Sequence, residues 1–172
     1  MSILLNPTFS EAYFARALSY YYLKNYNKSI TDYTKASELD PNNPVIYNNR
    51  GDAYYRQKIF DKAIEDYERA ISLNGKYLKA YYNRGLSYAC KEDFESAVSD
   101  FTKVIELNPN FAEAYHVRGL AYDYMNELDK AITDYEKSLE LNPNLDEAKE
   151  HLNLAKVKLV VEGETQTADL TH

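Results

Sequence analysis

Four arginines and four aspartates keep step along this chain. Arg16, Arg50, Arg84 and Arg118 stand 34 residues apart, and Asp32, Asp66, Asp100 and Asp134 repeat at the same interval. Residues of these types at a fixed spacing could form a row of acid/base or phosphate-binding groups. They could equally pair with one another, because the guanidinium fork suits a carboxylate in restricted space. An identical pair in four copies reads as scaffold joining neighbouring helices, and the spacing leaves open whether each pair lies within a repeat or reaches the next. The remaining chemistry-bearing residues form no constellation. His116, His151, His172 and the sole cysteine, Cys90, lack metal-ligand spacing. There is no Gly-rich phosphate loop, nucleophile elbow or His-Glu-x-x-His. Pairs such as Lys62 with Asp66 and Lys130 with Asp134 have the i, i+4 spacing of helix neighbours. No catalytic residue, metal or cofactor is expected, and hence no enzyme.

Composition sets the frame for the elements that carry these residues. The 172 residues are 45% hydrophobic and 27% charged, the balance of a globular chain, and only five glycines and five prolines leave room for long elements. Net charge is −7 with no Lys/Arg run, which argues against nucleic acid, since phosphate binding needs clustered positive charge. One cysteine cannot make an intramolecular disulfide. No stretch approaches the roughly 18 apolar residues of a membrane span, and the first residues do not read as a leader. These features predict a cytoplasmic protein with no membrane partner.

The 34-residue step runs through the whole chain. Pro7, Pro41, Gly75, Pro109 and Pro143 each close a phrase, and other slots recur relative to them. Six residues on stand Tyr13, Tyr47, Tyr81 and Tyr115; ten on, Ala17, Gly51, Gly85 and Gly119; thirteen on, Tyr20, Tyr54, Tyr88 and Tyr122. Further along come Ser29, Ala63, Ala97 and Ala131, then Tyr33, Tyr67, Phe101 and Tyr135. Within 111–125 the spacing of Tyr115, Gly119 and Tyr122 is one face of a helix, and 128–141 has the same character. Each repeat therefore predicts two helices, with small residues placed where their axes come close and a closing proline that stops the second.

A helix–turn–helix unit of this length with an aromatic–Gly–aromatic…Ala…aromatic…Pro order resembles the tetratricopeptide repeat. The resemblance covers Asn6 to Pro143 and implies an all-α fold, an α-solenoid of antiparallel helix pairs wound as a right-handed superhelix. It divides the chain into a remnant of a preceding repeat (1–7), four repeats (8–41, 42–75, 76–109, 110–143), a capping helix (144–161) and a disordered tail (162–172). The cap follows from Leu145, Ala148, Leu152, Ala155 and Leu159 sharing one face after the repeat signature has lapsed. Departures from the family pattern are Tyr for Trp, Ala17 and Ser29 in the first copy, and Gly75 for one proline.

Opposite the Tyr–Gly–Tyr stripe the first helices should be polar. They carry instead Leu18, Tyr22, Leu86, Leu120 and Tyr124 beside Asn49, Asp52 and Asn83, and apolar residues in register on an outward side suggest a binding surface. In tetratricopeptide proteins this side lines a groove for peptides. By that resemblance Asn48, Asn49, Lys79, Tyr82, Asn83 and His116 are its polar contacts, and the partner is a protein or peptide segment. The family's five-residue clamp for an acidic chain terminus matches only at Asn49 and Lys79. Its backbone-holding asparagine row matches at Asn49 and Asn83 but not at Ala15 and Val117.

Three functions follow: a peptide-binding scaffold, which is the main expectation; a self-assembling array; or a targeting domain cut from a larger enzyme. The second draws on the chain's start, where Ile3, Leu5, Asn6 and Pro7 look like the stump of a repeat. That would leave an uncapped N-terminal end, with Phe9, Tyr13 and Ala17 on its outer side, available for weak pairing with another copy.

Overall fold

A computed structural model describes the backbone of residues 10–169 and the side chains of residues 10–162. Within that range the chain is helical with no strand: α1 Ser10–Tyr22, α2 Tyr26–Leu39, α3 Pro44–Arg56, α4 Phe60–Leu73, α5 Leu78–Cys90, α6 Phe94–Leu107, α7 Ala112–Tyr124, α8 Leu128–Leu141 and α9 Asp146–Asp169. The expected helices over 111–125 and 128–141 are α7 and α8. The expected remnant at 1–7 and the last three residues of the tail lie outside the described residues. The cap differs from expectation: α9 continues past residue 161 to Asp169. Beyond Val161 there is no proline, and the one glycine, Gly163, costs only about 1 kcal/mol in a helix that is already propagating.

The helices divide into two units, one ending at Lys91 and containing α1–α5, the other starting at Glu92 and containing α6–α9. In the first unit the pair α3–α4 meets at Gly51. A Cβ there would lie 2.8 Å from the Tyr67 ring and 3.1 Å from the Ala63 carbonyl oxygen. In the second unit α7–α8 repeats the device: a Cβ on Gly119 would stand 2.8 Å from Tyr135 and 3.2 Å from the Ala131 carbonyl. The small residues thus let two axes approach until an aromatic ring closes the gap. Tyr33, Tyr67, Phe101 and Tyr135 are buried accordingly. Ala17, expected on an outer side, is wholly buried with Tyr33, Ala36 and Ile46. It occupies the glycine slot of the first pair, and that slot faces the partner helix.

Two turn devices recur. After three of the four second helices an asparagine (Asn74, Asn108, Asn142) returns its backbone N–H to the last turn, and after α2 Asp40 does so. The side-chain oxygen of each asparagine accepts from the N–H two residues on, at Lys76, Asn110 and Asn144. Because α4 ends in this way ahead of Gly75, the Asx turn stops the helix with or without proline. Between the helices of a pair, Lys24, Lys58, Glu92 and Asn126 all have positive φ, from 57° to 62°. No glycine marks this left-handed position, although only glycine adopts it without steric cost.

The arginine–aspartate question has a two-part answer. Arg16 grips Asp32 through Nε (2.5 Å) and a terminal nitrogen (2.6 Å). Arg50 holds Asp66 in the same way at 2.8 and 2.6 Å, and Arg118 holds Asp134 at 2.7 and 2.8 Å. Each of these pairs joins the two helices of one repeat. The third guanidinium nitrogen reaches backward: Arg50 donates to Thr34 Oγ1 (3.1 Å) and Ser37 Oγ (3.2 Å) of α2, and Arg118 to Thr102 Oγ1 (3.0 Å) of α6. Arg16 has no described helix before it, and its side chain is 43% exposed against 18% for Arg50 and 17% for Arg118.

Removing Arg50 leaves Asp66 buried without its cation and should destabilise the protein by about 3 kcal/mol or more. Arg50→Ala is expected to lower the urea midpoint more than Arg16→Ala, because Arg50 also gives up its bonds to Thr34 and Ser37. Lys58→Gly should raise stability by about 0.5–1 kcal/mol, since glycine relieves the left-handed strain. Urea unfolding curves of the three variants beside the parent check both expectations.

Candidate interaction surfaces

Surface residues of the first helices are positioned by contacts that run from one first helix to the next, between side chains 35 residues apart. In the first unit Arg56 Nε donates to Tyr21 Oη (3.0 Å), and Tyr55 Oη meets Cys90 Sγ at 3.5 Å. In the second, Lys158 Nζ donates to Asp123 (2.7 Å). A second seam at the same separation joins Asn83 Nδ2 to Asn48 Oδ1 (3.5 Å) and His116 Nε2 to His151 Nδ1 (3.0 Å).

The second seam corrects two expected groove contacts. Asn48 is fully buried, and His116 is buried with its ring 5.2 Å from that of His151. Both face the neighbouring first helix rather than a groove. Of the other expected residues, Asp52, Lys79, Tyr82, Asn83 and Leu86 come together around one cavity of about 340 Å³ in the first unit. Asn49 and Leu18 are half-buried, and Tyr22 is 75% exposed. Leu120 and Tyr124 belong to a separate cavity of about 200 Å³ in the second unit, with His151, Leu154 and the Asp123–Lys158 ion pair. There Tyr124 stacks flat on Phe94 at 4.9 Å.

The sequence reading missed four residues of the larger cavity or its support. Tyr21 donates its hydroxyl to Asp52 (2.8 Å) while accepting from Arg56. Burial, with Asp52 adding to it and Arg56 opposing, pushes its pKa up to about 12. Tyr55 is likewise pushed up to about 12 by burial and by Cys90. Tyr67, a core residue by pattern, also lines the cavity, and its hydroxyl has no hydrogen-bond partner among the described residues. Tyr21 and Tyr55 stand at equivalent places in consecutive repeats, which is the signal that could have exposed the first seam. Among the described residues no three His, Cys, Asp or Glu side chains gather in a way that could hold a metal ion. Among the described residues no helix is long and apolar enough to cross a membrane.

Each unit also carries a second surface. In the first, Tyr13 and Arg16 of α1 with Ile30, Thr34, Lys35 and Glu38 of α2 border a cavity of about 560 Å³. In the second, α9 buries Ala148 and Ala155 and leaves Leu154, Val157, Val160 and Val161 exposed, Val157 by 60%.

Comparison with known proteins places this architecture. The tetratricopeptide repeat pattern matches residues 44–77, 78–111 and 112–145, and a further TPR repeat pattern matches 17–58. The chain belongs to the tetratricopeptide repeat family. It is an all-α solenoid of helix pairs, and such a module serves protein–protein interaction. A crystal structure of MamA is 28% identical, covers 88% of each chain and superposes with a TM-score of 0.81. A second MamA crystal structure is 27% identical over 92% of this chain and 86% of that one, with a TM-score of 0.84. The first TPR of Spaghetti (RPAP3), bound to the HSP90 peptide SRMEEVD, is 30% identical over 68% of this chain and 93% of that chain, with a TM-score of 0.67. A search of curated proteins returns no match.

The histidine seam gives this site a pH dependence. Burial, with the neighbouring His151, holds the His116 pKa below its ordinary 6.5, while Glu147 and Glu113 pull weakly the other way. The unfolded chain then binds more protons than the folded one as pH falls through about 6.5, so stability is complete above that value and is lost below it. The melting temperature should drop between pH 7.5 and 5.5. In His116→Gln, which cannot charge, most of that drop should disappear.

Proposed function

We propose that this interaction module works by self-association, with α9 of one copy docking on the α1–α2 face of the next. The carrying observation is the exposed row Leu154, Val157 and Val161 on α9, opposite the face that packs on the repeats. Val157 holds the place that Tyr21, Tyr55 and Asp123 hold on the other first helices, each of which meets a residue 35 positions on. Continued by the 34-residue step, the residue to meet Val157 is Tyr22 of a second copy, also exposed. The likeness to MamA supports an array that works whole, because it spans about nine-tenths of this chain where the likeness to the peptide-bound RPAP3 domain spans about two-thirds.

Two different faces meeting make a heterologous contact, which builds rings or open filaments instead of stopping at a dimer. Sedimentation velocity over a concentration range should show a series of species for the parent. Val157→Glu should stay monomeric with an unchanged helical spectrum, and a parent that is monomeric at high concentration would end the proposal.

A second reading, the expected peptide groove, is favoured by the cavity in the first unit and by a relative that was crystallised with a peptide. On this reading Asn49 and Asn83 hold the backbone of an extended segment. Asn83 shares its amide with Asn48, so Asn49→Ala combined with Asn83→Ala should weaken a captured peptide by about tenfold.

A further inference from the structure

We infer that Asn74 is a site of spontaneous covalent modification: in the folded protein its side-chain amide is lost to the backbone nitrogen of Gly75, and the turn between α4 and α5 ages into aspartate and isoaspartate forms. The inference is independent of both functional readings, and its setting lies wholly within the first unit.

The starting point is a turn whose closing residue differs from its copies. Asn74, Asn108 and Asn142 end their helices with one backbone shape, φ between −145° and −140° and ψ between 91° and 93°. Each side-chain oxygen accepts from the N–H two residues on, at 3.1 Å from Lys76 and 3.2 Å from Asn110 and Asn144. Only the residue between them changes. Asn108 and Asn142 precede Pro109 and Pro143, whose nitrogen carries no hydrogen and cannot become part of an imide. Asn74 precedes Gly75, whose N–H donates to nothing among the described residues. Asn74, Gly75 and Lys76 are exposed, and a Cβ placed on Gly75 would meet nothing within 4 Å. No other asparagine in the sequence precedes a glycine.

Water is the only co-reactant the chemistry needs. The Gly75 nitrogen gives its proton to hydroxide and attacks Cγ of Asn74. A new N–Cγ bond closes the imide ring, and the Cγ–Nδ2 bond breaks to release ammonia. Water then opens the ring at either carbonyl. Breaking the new bond leaves aspartate, and breaking the original peptide bond leaves isoaspartate, with the main chain routed through the side chain. Attack puts negative charge on Oδ1, and the Lys76 N–H already points at that atom. A donor fixed where charge develops is what an oxyanion hole supplies. Gly75 contributes the rest, since a residue without Cβ lets the peptide plane turn toward the side chain at little steric cost.

The two products differ in consequence. Asp40 fills the same slot after α2, so aspartate fits the turn. Isoaspartate adds a methylene to the main chain ahead of α5, where Tyr77 N–H donates to the Asn74 carbonyl at 2.9 Å. That helix carries Lys79, Tyr82, Asn83 and Leu86 to the cavity, so modification moves one wall of it.

The test follows the full folded chain at pH 8.5 and at pH 6, with the tryptic peptide 70–76 read by mass spectrometry at intervals. At pH 8.5 the peptide should gain one mass unit and separate into two products. Its conversion should be several-fold faster than at pH 6 and within a few-fold of the free peptide acetyl-Leu-Asn-Gly-Lys-amide. Gly75→Pro, which restores the residue found after Asn108 and Asn142, should abolish the change and keep the parent's helical spectrum. Gly75→Val should slow it by about tenfold, because a β-branched residue restricts the rotation that attack needs. The aged parent should unfold at a lower urea midpoint than fresh parent, and aged Gly75→Pro should not. Conversion seen only in urea-unfolded chain means that the turn protects Asn74, and overturns the inference. Equal conversion at Asn83, Asn110 or Asn144 overturns its confinement to this turn, and conversion that persists in Gly75→Pro overturns the imide route.

Discussion

An aspartate buried between two helices has to keep its arginine, and that requirement organises this molecule. Asp66 and Asp134 sit almost without solvent, each gripped at both oxygens by the arginine of the facing helix. The grip fixes the rotation of both helices, because the planar fork tolerates little error. It also leaves one nitrogen pointing toward the previous helix pair, where a threonine receives it. One side chain therefore ties a hairpin together and ties that hairpin to its predecessor. Aromatic rings add to the tie: the Arg50 and Arg118 guanidinium groups lie over Tyr47 and Tyr115 at 5.6 and 5.7 Å.

A stitch of this kind has no natural end. Arg16, with no described helix before it, is the more exposed of these arginines, 43% against 18% for Arg50 and 17% for Arg118. At the other end α9 takes the place of a first helix but carries valine and leucine where a following helix would rest. On the proposed self-association the two faces would meet in the register that joins consecutive repeats.

Much of the fold could be read from residue order. The 34-residue step, the helix pairs and the close approach at Gly51 and Gly119 were all visible, because each places a small or an aromatic residue at the same slot of every copy. The left-handed turn was hidden for the opposite reason: Lys24, Lys58, Glu92 and Asn126 share a conformation but not a chemistry. Asn48 and His116 were misplaced because a helical wheel reports an angle and cannot say which neighbour stands there. In the structure that neighbour is the next first helix, with Asn83 or His151 on it. The cavity residues Tyr67 and Arg56 were missed because a core slot and a helix end seldom serve a surface, and only the packing of three helices brings them together.

The central claim is that the two ends recognise each other and not themselves. Val157→Glu blocks only the α9 end, and Tyr22→Glu blocks only the α1 end. The account predicts that each variant alone sediments as a monomer, while an equimolar mixture forms a dimer of one of each and nothing larger. A mixture that stays monomeric, or a single variant that still dimerises, would contradict it.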